Sequence, residues 1–472
     1  MRINFADLPR ANIQVDAGSY QGSFEGWRHS IGQGAVNSLP LPEDVVAGTR
    51  KLKPRLIRIF LQEFFNIYPD HGVFNWDKLD PYMDSLAQTG AQLLATINLK
   101  PPVLYPEINH DLWRPTDVAE WQNLIFQLVR RYSVEKPIVT YWEHVNEPDI
   151  GEWGGCPYRI PGVEELHEFY ALTIRPILEA FPGARVGGPC PADYRIAPEF
   201  MDCCAKHRTP LDFVSYHRYD DDPESHRRIA EVLSEKIKSF PGKRPELILD
   251  EWSKGFEAPY TSIPYDAVSV DEMAMQSRRA AHLARIVLTL METPLDWSFF
   301  FLLWDNCMYN DEFKTFFSSE GAKNVMYKHW NEAPHRFGLF SESGKVRPQY
   351  FVYQMLSQMG EQKLAAHCEH PDIKAIAVQG DGRLSVLIVN FNLQASHDML
   401  VKTCFNNLQP GLRRLKAYRI DDNQRWSEDT LVLYPYEERT VDVLPEFEYQ
   451  FYSPADSVLW VTLEDVGDRS SK

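Results

Sequence analysis

Eight short apolar runs, each separated from the next by a longer stretch, constrain this chain most. They are Ser30–Val36, Leu56–Leu61, Gln92–Asn98, Ile138–Val145, Arg185–Pro189, Leu211–His217, Glu246–Glu251 and Trp297–Trp304. Amphipathic helical patterns such as Leu79–Gly90, Val163–Ala180 and Asp271–Glu292 lie between them, as in repeated βα units. Several runs are apolar at nearly every residue and turn polar only at the carboxyl end: IVTYWEHVNEPD, LDFVSYHRYD and ELILDEWS. A strand covered on both faces reads this way, and a ligand site forms where its carboxyl end emerges. Eight units in about 300 residues favour a closed (β/α)8 barrel over an open doubly wound sheet. The open sheet would carry a glycine-rich phosphate turn after its first strand, and SIGQGAVNS lacks the third glycine and the later acidic residue.

After about Lys345 the pattern changes. A helix at Gln349–Met359 precedes short strands at Ile373–Gln379 and Leu384–Phe391, joined by Gly380-Asp381-Gly382, a hairpin signal. Leu412–Ile420, Thr430–Tyr434, Thr440–Leu444 and Ser457–Leu463 read as further strands. The expected architecture is thus a barrel over residues 1–345 and a β-sandwich over 346–472. The first 25 or so residues are left open between the two.

Composition narrows the function. With 49 Lys and Arg against 66 Asp and Glu, the net charge of −17 makes nucleic acid a poor partner. No apolar run reaches membrane-spanning length, and Asp7 and Pro9 interrupt the place of a signal peptide's hydrophobic segment. The seven cysteines have neither CxxC nor zinc spacing and read as free thiols of a reducing cytoplasm.

Two glutamates stand at strand ends. Glu147 lies in YWEHVNEPD, where Pro148 stops the strand; Trp142, Trp153 and Tyr158 nearby would desolvate its carboxyl group and raise its pKa. Glu251 ends LILDEW. Strict alternation points Glu251 and Leu249 into the barrel, and Asp250 and Ile248 toward the helices. The two glutamates fall on strands four and seven, which face across the mouth. Two carboxylates about 5 Å apart serve retaining glycoside hydrolysis. Glu251 would attack the anomeric carbon, and Glu147 would protonate the leaving oxygen and then deprotonate water.

The sequence resembles the retaining (β/α)8 glycoside hydrolases with catalytic glutamates on strands four and seven. It looks most like glycoside hydrolase family 39, which includes β-xylosidases and α-L-iduronidases. The matching pieces are WEHVNEPD, YHRYD, ILDEW, GVFNWDKLDPYMDSLAQTGAQ and FGLFSESGKVRPQYFVYQML, within about residues 25–360. The resemblance implies Glu147 as acid/base, Glu251 as nucleophile and Asn146 as the residue that binds the sugar 2-hydroxyl. It further implies that Arg58 orients Glu251 and keeps it ionised, and that Tyr219 donates its hydroxyl to the same carboxylate. Val145 stands where the family usually has Trp, and Phe60 where a His often follows the strand-two Arg.

Other residues complete the expected site. His217 ends strand six beside it, His29 divides evenly between sugar contact and packing, and Trp304, Asp305 and Asn306 close strand eight, with the Trp304 indole as a platform under the ring. Glu143, assigned to the opposite strand face from Glu147, is expected to be a buried partner for a base. The Asp220-Asp221-Asp222 run beside His217 reads as a solvated charge run and not a metal site. No metal or cofactor is expected, since HExxH, P-loop, calcium-loop and GxSxG patterns are missing from the sequence. The expectation is a cytoplasmic retaining exo-glycosidase cleaving short β-D or equivalent α-L glycosides. Exo action rests on long loops at Pro101–Asp117 and Ile150–Gly162. An endo-enzyme or transglycosylase with the same glutamates, or a carbohydrate-binding protein without turnover, are the alternatives. Self-association is left open.

Overall fold

The structure is a computed structural model that describes residues 7–34, 37–255, 277–305, 308, 316–331 and 338–466. Eight parallel strands close into a barrel: β2 (His29–Gln33), β3 (Leu56–Gln62), β4 (Gln92–Asn98), β5 (Val139–His144), β6 (Arg185–Pro189), β7 (Phe213–Tyr219), β8 (Glu246–Ser253) and β9 (Trp297–Phe301). Closure comes from β9 pairing with β2, Phe301 opposite Gly32. Helices α1 (Glu43–Lys51), α2 (Leu79–Ala87), α3 (Val118–Val129), α4 (Val163–Ala180), α5 (Ile196–His207), α6 (Pro223–Lys238) and α7 (Ser277–Leu290) cover the strands. Val36, which the sequence placed in the first strand, and the 271–276 part of the seventh helix lie outside the described residues. Local chemistry sets the helix starts: Asp117 accepts the Glu120 N–H at 2.9 Å, and Asp222 accepts the Glu224 N–H at 3.0 Å with Pro223 in the first turn.

The barrel interior is layered. At the amino ends of the strands, Leu56, Leu94, Phe213, Ile248 and Phe299 form one buried apolar plug. Two residues further along, the same strands present Arg58, Thr96, Ser215 and Asp250, all buried. Glu143, two residues beyond the partly buried Tyr141 of that plug, joins this polar layer. It therefore points into the barrel, on the catalytic side, and not away from it as the alternation reading had it.

Strand β8 overturns a second expectation. Ile248 fills the barrel interior, and Leu249 packs in the cluster shared with the helices. The register against β7 pairs Tyr216 with Leu249 but His217 with Glu251, so Asp250 is an extra residue, a β-bulge. A bulge breaks the period of two, and both Asp250 and Glu251 reach the interior.

Residues 362–465 build a nine-stranded sheet together with the amino-terminal strand β1 (Arg10–Ser23). Its strands are β10 (Gln362–Cys368), β11 (Ile373–Gly380), β12 (Arg383–Asn390), β13 (Met399–Asn406), β14 (Gly411–Ile420), β17 (Glu437–Val443), β18 (Phe447–Ser453) and β19 (Ser457–Asp465). The order is β17-β14-β19-β12-β11-β10-β1-β13-β18; Trp426–Ser427 (β15) and Val432–Leu433 (β16) form a separate small pair. The sheet folds over a core of its own, and the Tyr449 hydroxyl of β18 donates to Glu437 of β17 at 2.7 Å, joining the two ends of the order. Strand β12 serves both cores: Val386 and Ile388 face that of the sheet, while Leu387 and Val389 face the barrel's. The Asp381-Gly382 hairpin turn has φ of 52° and 68°, the left-handed pair that a tight two-residue turn requires. Two further helices, α8 (Glu320–Asn331) and α9 (Pro348–Gln358), lead from β9 to this sheet.

Candidate active site

Strand β5 ends in a turn that no regular strand could make. Val145 and Glu147 have φ of 47° and 45°, left-handed values that are uncommon outside glycine and most strained for the β-branched Val145, and Pro148 follows. The turn is tied down on both sides: the Asn146 N–H donates to Asn98 Oδ1 of β4 at 2.9 Å, and the Glu147 N–H to the Cys190 carbonyl beyond β6 at 2.9 Å. Gly154 lies against the Glu147 carboxylate so closely that a Cβ there would stand 2.0 Å from Oε2. Of the aromatic residues near it in sequence, the Trp142 indole bonds Ser133 at 3.0 Å, the Tyr158 hydroxyl bonds the Leu99 carbonyl, and Trp153 is 53% exposed.

Arg58, on β3, organises the site. Its Nη1 donates to Glu251 Oε2 at 2.8 Å, its Nε to Glu143 Oε2 at 2.9 Å, and its Nη2 to Asn146 Oδ1 at 2.9 Å and Cys190 Sγ at 2.8 Å. Asp250 Oδ2 lies 3.2 Å from the same Nη2. The Phe60 ring, two residues along the strand, covers the guanidinium at 4.5 Å. Tyr219 donates to the other oxygen of Glu251 at 2.5 Å, and Thr96 donates to Glu143 at 2.6 Å. His217 links the halves: Nδ1 is 2.8 Å from Glu147 Oε1, and Nε2 is 3.9 Å from Glu251 Oε2. An oxygen of Glu147, an oxygen of Glu251 and a His217 nitrogen all lie within 4.8 Å of one another.

Burial raises the pKa of Glu147, and the negative charge of Glu251 adds to this, against the pull of His217. For His217, burial works downward, but the charges of Glu251 and Asp250 outweigh it and hold the imidazole well above its usual range. Glu143 is pushed up to about 7, by burial first and then by Asp250, with Arg58 opposing. Burial also pushes Asp250 upward, but Arg58 and His217 prevail and keep it low. The Cys190 thiol is driven far upward by burial and stays neutral.

Of the site residues expected from sequence, the structure brings Glu147, Glu251, Asn146, Arg58, His217 and Tyr219 together. It places others elsewhere. His29 starts β2, at the amino end of the barrel and away from the mouth; its Nδ1 meets Ser298 at 2.9 Å, and burial lowers its pKa to about 3. Trp304 is 5% exposed, with its indole N–H on the Glu342 carbonyl at 3.2 Å, and it packs against the barrel's apolar core. Asp305 is a structural anion, paired with Arg347 at 2.6 Å and accepting the Gly338 N–H at 2.8 Å. Asn306 lies outside the described residues. The aspartate run divides its work among local partners: Asp220 pairs with Arg218, Asp221 accepts the Gly255 N–H, and Asp222 caps α6.

Sequence reasoning missed Asp250, hidden by the bulge, and Cys190, hidden among seven scattered cysteines. The signal for Cys190 was its position, since VGGPCP puts a polarisable side chain just past a strand end. Among the described residues, three groups have ligand atoms close enough to hold a metal ion: Glu147/His217/Glu251, Cys190/His217/Asp250 and, on the α4–α5 surface, Glu164/His167/His207. In the first two the Arg58 cation already stands against Glu251, Asp250 and Cys190.

The chain matches the sequence model of the glycosyl hydrolases family 39 over residues 13–401. It belongs to that family. This family 39 member is a glycoside hydrolase, similar to β-xylosidases, and its substrate is a saccharide. It is 23% identical over 389 residues to a β-xylosidase of Caldicellulosiruptor saccharolyticus, covering 75% of this chain and 72% of the relative. In fold it is similar to a monomeric β-xylosidase from Caulobacter crescentus CB15, with a TM-score of 0.75 at 17% identity over 97% of this chain and 100% of the other. A glucosidase from Croceicoccus marinus gives a TM-score of 0.71 at 19% identity over 97% and 99%. Among the described residues of the glycosidase, no helix is long and apolar enough to cross a membrane.

Proposed function

We propose that the glycosidase is a retaining exo-enzyme that removes a terminal sugar from short β-D glycosides, β-xylosides first, or from stereochemically equivalent α-L glycosides. Glu251 attacks the anomeric carbon while Glu147 protonates the departing oxygen; water activated by Glu147 then releases the sugar from Glu251. One observation carries this reading: one oxygen of each carboxylate lies within 4.8 Å of the other, which suits the roughly 5 Å carboxyl spacing of retaining enzymes better than the roughly 6.5–9.5 Å that an inverting water needs. Arg58 and Tyr219 each donate to one oxygen of Glu251, which fixes the carboxylate for attack on the anomeric carbon. Glu147 keeps its proton while Glu251 is charged; once Glu251 is glycosylated that repulsion disappears, and Glu147 becomes the base of the second step.

Exo action is supported by the two long loops, which hold to one another where the Arg159 N–H donates to the His110 carbonyl at 2.8 Å; Lys100 Nζ, just before the first loop, donates to the Pro157 carbonyl at 3.0 Å. The second loop also reaches the acid/base residue, where Gly154 lies against the Glu147 carboxylate. Free thiols at Cys156, Cys190, Cys203, Cys204, Cys368 and Cys404 support a reducing, cytoplasmic setting, where small saccharides are the available substrates.

A panel of aryl β-D- and α-L-glycosides, followed by xylo-oligosaccharides, tests the proposal. The expected results are turnover of the xyloside, a first-formed product of unchanged anomeric configuration by proton NMR, and release of single sugars from the chain end. An inverted product would overturn the mechanism, and internal cleavage would overturn the exo assignment.

A further inference from the structure

The proposed double displacement gives roles to Glu147, Glu251, Arg58 and Tyr219 but leaves a thiol at their centre without one. Cys190 follows Pro189 at the end of β6, with φ of 56° and no exposed surface. Arg58 Nη2 donates to its Sγ at 2.8 Å, and its S–H donates to Asp250 Oδ2 at 2.8 Å. His217 Nε2 lies 3.1 Å from Sγ, and Asn146 Oδ1 at 3.5 Å. One small side chain thus touches the arginine that holds Glu251, the histidine that holds Glu147, and the aspartate between them. Few groups can do this. An apolar residue would offer nothing to the Arg58 and His217 N–H groups, and an acid would add a further charge to a pocket that already holds Glu143, Glu147, Asp250 and Glu251.

We propose that Cys190 is a positioning residue: its neutral thiol accepts from Arg58 and from His217 Nε2–H while donating to Asp250, and so holds His217 as the doubly protonated partner of Glu147. The inference rests on the acid/base role proposed above for Glu147. The charged and titratable groups around His217 are Glu147 after β5, Cys190 after β6, and Asp250 and Glu251 on β8. Behind these stand Arg58 on β3, Glu143 on β5 and Tyr219 on its own strand. With the thiol gone, the near neighbours of Nε2–H among the described residues are Asp250, at 3.4 Å, and Glu251, at a distant 3.9 Å. The imidazolium is then less favoured, its pull on Glu147 weakens, and Glu147 holds its proton to higher pH.

The test is the pH profile of kcat/KM for wild type, Cys190→Ala, Cys190→Val and Cys190→Ser on one aryl β-xyloside. Both apolar variants should lose roughly five- to tenfold in kcat/KM at the wild-type optimum, the worth of one weak hydrogen bond. Their alkaline limb should move upward by about half a pH unit, and Ser should bring it back. A thiol that only fills space predicts otherwise: lower thermal stability, an unmoved limb, and Val performing no worse than Ser. An unmoved limb in the apolar variants overturns the inference. Should neither apolar variant fold, nitrogen-15 NMR of the histidines decides. A doubly protonated His217 in wild type, with its Nε2 resonance displaced in Cys190→Ser, supports the proposal; a singly protonated His217 overturns it. Failure of the wild-type enzyme on every glycoside would instead count against the functional reading itself.

Discussion

Glu251 and Glu147 share one small site but are held in opposite ways. Glu251 sits on a strand, gripped by Arg58 from β3 and Tyr219 from β7. Glu147 stands on an irregular turn, meets one histidine, and has a bare glycine against its second oxygen. Two donors, one of them a cation, suit a carboxylate that must be held still to attack; a buried carboxyl group with one partner and an anionic neighbour favours a group that exchanges its proton. The contrast shows how one barrel mouth can give two identical side chains different chemistry.

The largest effect should come from Glu251→Gln, which removes the nucleophile. A loss in kcat on the order of 10⁶ is expected whatever the leaving group, read by single-turnover kinetics. Glu147→Gln sharpens the contrast, because its effect should depend on the leaving group. Unactivated glycosides should slow by about 10²–10⁴, whereas dinitrophenyl glycosides should retain a near-normal first step, seen as a burst. A smaller test leaves every charge in place. Gly154→Ala would drive its methyl group into Glu147 Oε2, so about a 10²-fold loss confined to poor leaving groups is expected; an equal loss on both classes would say that the glycine serves the fold instead.

The smallest effect concerns stability. The folded-state pKa of Glu143, raised to about 7, means the folded protein binds a proton that the unfolded chain has released. Its contribution is therefore complete below about 4.5 and lost as pH rises through about 7. Glu143→Gln, a mimic of the neutral form, should flatten the fall in thermal stability across that window, by up to about 3 kcal/mol in differential scanning calorimetry. A slope identical to wild type would place the burial cost on other groups.

The eight barrel strands were legible because burial on both faces leaves an unbroken apolar run, and the two glutamates because each ended such a run. What failed was inference that assumed regular alternation. Counting by twos placed Ile248 and Asp250 on the helix side, and one extra residue at the β8 bulge reversed both. His29 failed for another reason: nearness to a strand in sequence says nothing of which end of the strand a side chain occupies. In the accessory sheet β13 and β18 were passed over, although MLVKTCFN and FEYQFYS alternate cleanly. The hairpin at Asp381-Gly382 was found, since its turn chemistry is local. Cys190 could be counted from sequence but not placed, because its partners come from β3, β7, β8 and the turn after β5.

Strand β1 pairs in parallel with β13 and antiparallel with β10, so its residues are locked between segments made roughly 340 to 390 residues later. During synthesis on a ribosome the first strand therefore emerges long before either neighbour exists, and it must stay unpaired while the whole barrel is translated. Trimming a leader back past Ser23 would do more than shorten a tail. It would open two raw sheet edges at once, an invitation to stick to other copies.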